Sequence, residues 1–145
     1  MLKIGIISGP NLNMLEKRDQ KIYGNLTLEE MNHKIDSFAK KENIELTIKQ
    51  SNFEGEVIEF IQQFSSQVDG LIINPAAYTH YSYAIADAIR DCSIPTIEVH
   101  LSNIFSREGF RGKSVTAPAC IEQIAGFGYQ SYILAIYALQ DLLKK

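Results

Sequence analysis

The sequence predicts one α/β domain over residues 1–145, built on a parallel sheet with helices on both faces. Three observations carry that prediction. Short apolar runs of strand length alternate five times with segments of helical period. Parallel neighbours need crossover connections, and the helical segments between the runs supply them. At 145 residues the chain is the size of an ordinary domain, long enough to bury a core without disulfides or metals.

Leu2 to Ser8 is an isoleucine-rich run closed by Gly9-Pro10, which reads as a strand buried on both faces. Gly9 to Asn25 is a polar stretch of 17 residues without helical or strand period, and a loop of that length in a compact domain is as a rule a lid or disordered. Thr27-Leu28-Glu29-Glu30 matches a capping box, with Thr27 as N-cap and Glu30 at N3. Leu28, Met31, Ile35 and Phe38 continue that helix to Lys41. Ile44 to Gln50 alternates as a strand, and a helix from Gly55 to Ser66 carries Val57, Ile58, Ile61 and Phe64 on one face. Gly70 to Asn74 is the third strand, stopped by Pro75, and a helix covers Tyr81 to Asp91. Pro95 to His100 is the fourth strand, followed by a second long polar segment from Leu101 to Pro118. Cys120 to Phe127 reads as a fifth strand. Tyr129 to Lys145 is an amphipathic helix with Ile133, Ile136, Tyr137, Leu139, Leu142 and Leu143. Five strands in this length fit the flavodoxin-like order 2-1-3-4-5, which opens a crevice at the carboxyl ends of strands 1 and 3.

Composition narrows the function. Fourteen basic against 17 acidic side chains give a net charge of −3, which argues against a nucleic-acid partner, since such proteins carry a basic surplus or stripe. An anionic small molecule stays open, because two or three local arginines suffice for a positive pocket. Cys92 and Cys120 are the two cysteines, too few for a disulfide framework, and point to a reducing compartment. The opening residues lack the form of a signal peptide, and no apolar run reaches the ~20 residues that span a bilayer. The expected setting is the cytoplasm, with no membrane partner. A Walker loop, a dinucleotide fingerprint, a flavin-phosphate turn and the acidic pair of a phospho-receiver are all missing, and no histidine, cysteine and carboxylate cluster has metal spacing.

The polar residues that interrupt the apolar strands gather after strands 1, 3 and 4. Asn11 and Asn13 follow strand 1, Asn74 ends strand 3, and His100 ends strand 4, with Arg18 and Tyr23 in the first long loop and Arg107 and Arg111 in the second. The doubly wound topology brings these ends to one rim. Glu98 and His100 leave the same face of a strand, so the carboxylate either orients the imidazole for catalysis or forms a solvated edge pair. Tyr23 either packs its loop or acts as a base. A base needs a phenol well below its reference pKa of about 10, and a guanidinium such as Arg18 favours the phenolate. His80 stands at a helix start, as a neutral ligand-binding imidazole or as a cap. Ser102 and Asn103 offer backbone N–H groups to a carboxylate, and His33 is surface.

Four blocks occur together: Gly9-Pro10-Asn11-Leu12-Asn13 with Arg18 and Tyr23-Gly24; Gln50-Ser51-Asn52 with Glu54-Gly55-Glu56; Ile73-Asn74-Pro75 with Ala77-Tyr78-Thr79-His80; and Glu98 to Ile104 with Arg107-Glu108 and Phe110-Arg111. With Thr116-Ala117-Pro118 they run in the order and spacing of one family, and the chain resembles type II 3-dehydroquinate dehydratase over nearly its whole length. The resemblance implies a flavodoxin-like enzyme without metal or cofactor, converting 3-dehydroquinate to 3-dehydroshikimate in the shikimate pathway by anti elimination of water through an enolate.

It also implies roles. Tyr23 would take the proton from C2, and Arg18 would lower the pKa of Tyr23 and stabilise developing negative charge. Asn11 would position a water on the enolate, and His100, oriented by Glu98, would protonate the departing C1 hydroxyl. Asn74, His80, the Leu101-Ser102 backbone and Arg111 would grip the substrate, and Asp87 would reach a neighbouring subunit's site in a dodecamer built from trimers. Glu16 stands where the family often has glycine, Phe53 where histidine is common, Ala86 in place of a frequent arginine, and Phe105-Ser106 where His-Ala is frequent. None of these is an implied acid, base or primary ligand. Against this enzyme stand a carboxylate-binding module without turnover and a flavin-binding electron carrier.

Overall fold

The computed structural model describes residues 1–23 and 25–144, except for the side chains of Ile22 and Tyr23. Five strands, β1 (Leu2–Ser8), β2 (Ile44–Gln50), β3 (Gly70–Asn74), β4 (Thr96–His100) and β5 (Glu122–Ala125), form one parallel sheet in the order β2-β1-β3-β4-β5. The helices are α1 (Gln20–Tyr23), α2 (Leu28–Lys41), α3 (Glu54–Phe64), α4 (Tyr83–Asp91) and α5 (Gln130–Leu143). This is the flavodoxin-like order expected from the sequence, and it follows from isoleucine-rich strands that are apolar on both sides.

Alternation along those strands sends successive residues to opposite layers. Ile4, Ile6, Ile72, Ile97 and Val99 face a core closed by Met31 and Ile35 of α2 and by Tyr132 and Ile136 of α5. Ile7, Leu71 and Ile73 face the other core, with Val57, Ile61 and Phe64 of α3 and Ile85 and Ile89 of α4. On β4 the consequence is specific. Because Ile97 and Val99 belong to the α2–α5 side, Glu98 and His100 project to the opposite side, next to the chain that leads into and past α4.

The predicted cap on α2 is formed, with Thr27 Oγ1 accepting from Glu30 N at 3.0 Å. Replacing Thr27 with alanine is expected to cost about 1 kcal/mol. It should appear in urea unfolding as a lower midpoint at unchanged slope, and an unchanged midpoint would contradict the cap's contribution.

Several expectations are corrected. The first polar stretch is not without order, since Leu12–Lys17 forms a 3-10 helix that buries Leu12 and Leu15 in the α2–α5 core. Two anchors three residues apart in a short 3-10 helix give no readable period. β5 is shorter than Cys120 to Phe127, because Ala117–Ala119 is a 3-10 turn before it and Gly126 has φ of 96° after it. On α5, Tyr137 and Leu142 are exposed, and the helix instead buries Ser131, Tyr132 and Ala135 beside Ile133, Ile136 and Leu139. Apolar residues surround most of that helix, so the periodicity did not single out one stripe, and the small Ser131 and Ala135 decide it by letting the helix approach the sheet.

Candidate active site

The carboxyl ends of β1, β3 and β4 meet at a pocket. Leu12 and Arg18 line it from the segment after β1, Asn74, Ala76, Ala77 and His80 from the end of β3, and His100, Leu101, Ser102, Ile104, Arg107 and Arg111 from the end of β4. The close approach of the first two segments requires glycine at position 9. Gly9 N donates to Asn74 O at 2.8 Å, and a Cβ there would meet the Pro75 carbonyl oxygen at 2.7 Å. Among the described residues that line it none is acidic, while three carry guanidinium groups. A chain of net charge −3 thus presents a cationic pocket suited to an anion.

Glu98 and His100 are not a solvated edge pair. Glu98 is fully buried and His100 nearly so, with His100 Nε2 2.7 Å from Glu98 Oε2. A carboxylate only accepts, so Nε2 carries the hydrogen and Nδ1 is left for the pocket. Glu98 also accepts from Thr79 Oγ1 at 2.9 Å, Ser114 Oγ at 3.0 Å, Gln123 Nε2 at 2.9 Å, and Thr116 Oγ1. Burial alone would raise its carboxyl pKa, but the His100 hydrogen bond and charge, with the bonds from Thr116 and Gln123, hold it below the usual value. To act as an acid, the His100 ring must hold a second proton on Nδ1, and its positive charge then lies against this anion.

Asn74 is held in one orientation. Its Oδ1 accepts from Ala76 N at 3.1 Å and its Nδ2 donates to the hydroxyl of Tyr132 at 3.1 Å, leaving the second amide hydrogen for a ligand. The Asn74 turn supports Ala76 at φ 52°, a left-handed conformation that a residue with a Cβ rarely adopts. Tyr132 is fully buried, and its hydroxyl also lies 3.4 Å from Ser8 Oγ. Burial pushes this phenol up, against the lowering effect of Ser8 and Asn74, so it serves as a neutral hydrogen-bonding group.

His80 is not at the start of a helix. It ends the 3-10 helix Ala76–His80, and the cap of α4 is Ser82, whose Oγ accepts from Ile85 N at 3.1 Å. Its Nδ1 donates to Lys113 O at 2.6 Å, which directs Nε2 to a ligand and removes the capping alternative. Asn103 spends its side chain on the next turn, accepting from Phe105 N at 3.2 Å. Arg111 stacks on the Phe110 ring at 5.0 Å.

Three expected residues, Asn11, Glu98 and Asp87, are not among those lining the pocket, and of these Glu98 meets it only through His100. Asn11 has φ of 68°, and its N–H donates to Asn52 Oδ1 at 3.0 Å, at the edge of the same rim. Asp87 is exposed on α4 beside Arg90 at 3.6 Å. The side chain of Tyr23 lies outside the described residues, while its backbone ends α1. Sequence reasoning assigned no role to Arg107, Thr79, Ser114, Thr116, Gln123 or Tyr132. The first was visible as a cation in the polar loop. Gln123 was legible only once its register opposite Glu98 was known, because paired residues on neighbouring strands share a face. Among the described residues, no group of three or more His, Cys, Asp or Glu is arranged to hold a metal ion, and no helix is long and apolar enough to cross a membrane.

Comparison with known proteins gives a consistent result. A family model described as Dehydroquinase class II matches residues 2–140. The chain is 53% identical over 144 residues to a 3-dehydroquinate dehydratase of Clostridium acetobutylicum, covering 99% of this chain and 100% of that one. It is 54% identical to one of Caldicellulosiruptor bescii, covering 99% of each. The crystal structure of a type II dehydroquinase from Butyrivibrio crossotus superposes with a TM-score of 0.94 at 50% identity, over 96% of this chain and 97% of that one.

Proposed function

This chain belongs to the class II dehydroquinase family, and we propose on that premise that residues 1–145 act as one catalytic domain that dehydrates 3-dehydroquinate to 3-dehydroshikimate in the shikimate pathway. The observation that carries the reading is a buried Glu98–His100 pair opening onto a pocket with three arginines and no acid. The substrate is an anion with several hydroxyl groups. Arg111, Asn74, His80 and the Leu101-Ser102 backbone are the groups to hold it, with Arg107 as a further cation on the same wall.

The chemistry follows from where acid and base stand. Tyr23, on the segment after β1, takes the C2 proton as a phenolate favoured by the Arg18 guanidinium. The electrons move to the ketone oxygen, and a water held by Asn11 stabilises that enolate. His100, on the segment after β4, gives its Nδ1 proton to the C1 hydroxyl, which leaves as water as the enolate collapses. Tyr23 ends protonated and His100 ends neutral, so the proton returns from one to the other through solvent and the cycle closes. Positioned acids and bases contribute about 10²–10⁴-fold each. Their placement on separate loops suits departure of the proton and the hydroxyl from opposite faces of the ring.

Two finer features belong to the same proposal. Asp87 is exposed on α4, away from its own pocket, which supports a role at a neighbouring subunit's site in a dodecamer of trimers. The cytoplasm is the proposed setting, in keeping with a pathway that feeds aromatic biosynthesis. Purified protein mixed with 3-dehydroquinate should show a steady rise in the ultraviolet absorption of the conjugated enone. A folded protein that is stabilised thermally by the compound without any such rise would instead be a carboxylate-binding module, and a yellow protein would be a flavin carrier.

A further inference from the structure

Behind His100 lies a cluster that the proposed chemistry does not use directly. The hydroxyls of Thr79, Ser114 and Thr116 all reach the Glu98 carboxylate and also one another, at 2.6 Å between Thr79 and Ser114, 2.8 Å between Thr79 and Thr116, and 3.3 Å between Ser114 and Thr116. Each hydroxyl owns a single hydrogen, so three hydrogens serve six close oxygen contacts. The remaining donors on Glu98 are nitrogens, Gln123 Nε2 at 2.9 Å and His100 Nε2 at 2.7 Å, both on Oε2. A protonated carboxyl would bring another hydrogen and remove an acceptor, so the arrangement fits a carboxylate.

The cage is assembled from distant parts of the chain. Thr79 lies in the 3-10 helix after β3, Ser114 and Thr116 lie before the turn that leads to β5, and Gln123 is paired with Glu98 in the sheet. Two further bonds fix it, from Val115 N to Thr79 O at 2.7 Å and from Ala117 N to Ser114 Oγ at 2.9 Å. Thr79 and Thr116 are fully buried.

We propose that Thr79, Ser114, Thr116 and Gln123 are positioning residues that hold the Glu98 carboxylate in the one orientation that accepts the Nε2 hydrogen of His100 and leaves Nδ1 to the substrate. The proposal rests on the reading of His100 as the proton donor. Loss of a cage donor acts on proton transfer rather than on substrate grip, because no cage residue lines the pocket. It also makes the carboxylate easier to protonate. Activity that needs Glu98 charged is then lost at a higher pH on the acid side. Among the described residues, the titratable groups facing Glu98 are His100 and Cys120. Burial first, and Glu98 second, push the Cys120 thiol far up, so it stays neutral over the range of that limb.

Thr116→Val keeps shape and removes one donor, and Thr116→Ser restores it. The valine variant should lose roughly tenfold in kcat, the order expected for one hydrogen bond to a charged group. Its KM should stay within about twofold, and the acid limb of its kcat profile should move to higher pH. The serine variant should recover both. Nitrogen-15 spectra of the three histidines should show His100 with its hydrogen on Nε2 in the parent and a mixture of ring tautomers in Thr116→Val. A folded valine variant with parental kcat, acid limb and tautomer overturns the proposal. If the parent itself fails to turn over 3-dehydroquinate, the functional reading falls while the tautomer comparison still decides this one. Should Thr116→Val not fold, Gln123→Met, at a half-buried position of β5, carries the same test with the same opposing outcomes.

Discussion

His100→Ala is expected to lower kcat by about 10³-fold, within the range that a positioned general acid supplies, while unfolding at nearly the parental denaturant concentration. The hydroxyl leaving C1 is a poor leaving group unless a proton reaches it, and Nδ1 of His100 is the pocket-facing atom that can supply one. The loss should fall on kcat and kcat/KM together, the pattern of an interaction made in the transition state. A small change in stability is expected because Glu98 keeps its bonds from Thr79, Ser114, Thr116 and Gln123. Steady-state kinetics with urea unfolding on the same sample separate the two effects. A variant with a tenth or more of the parental kcat would remove His100 from the acid role.

Tyr23→Phe is expected to have an effect at least as large, about 10³-fold or more in kcat, at little change in KM. Phenylalanine keeps the ring and deletes the hydroxyl oxygen proposed to accept the C2 proton. The companion change Arg18→Lys keeps a charge in the pocket but loses the planar fork of the guanidinium. It should reduce kcat less and move the limb that reports the base to higher pH, because a phenolate less well stabilised forms later. Rates in Tyr23→Phe close to the parent would assign the base elsewhere.

Much of the fold was legible because its strands are short, apolar and isoleucine-rich, and because α2 to α5 announce themselves by period or cap, whereas the four-residue α1 lies in the polar stretch that showed no period. β1, β2 and β3 have the expected limits, and Thr27 caps α2 as read. Legibility fails where a residue's partner lies across the fold. The order hidden in the first polar stretch depends on Leu12 and Leu15 dropping into a core made by α2 and α5. The Tyr132 hydroxyl matters only because β3 ends beside it, and nothing local marks it among its apolar neighbours.

The site divides in the same way. Glu98 and His100 could be paired from sequence, since a strand repeats every second residue, and the rim followed from topology. The full burial that turns a surface pair into an oriented imidazole could not be read, because it depends on Thr79, Ser114, Thr116 and Gln123 arriving from three other segments. His80 was placed at the start of a helix that begins two residues later than read, for a similar reason. Residues Ala76 to His80 tighten into a 3-10 helix after the Asn74 turn, which delays α4 until Ser82 can cap it.

Elimination by a base on one loop and an acid on another makes a stereochemical demand that can be measured directly. 3-Dehydroquinate carrying deuterium at a single C2 position, in each of its two configurations, is converted by the protein and the product is weighed by mass spectrometry. Deuterium on the face opposite the C1 hydroxyl should be lost to solvent and deuterium on the same face retained. Retention of the first and loss of the second would put the proton and the hydroxyl on one side of the ring, where Tyr23 and His100 could not divide the work as described.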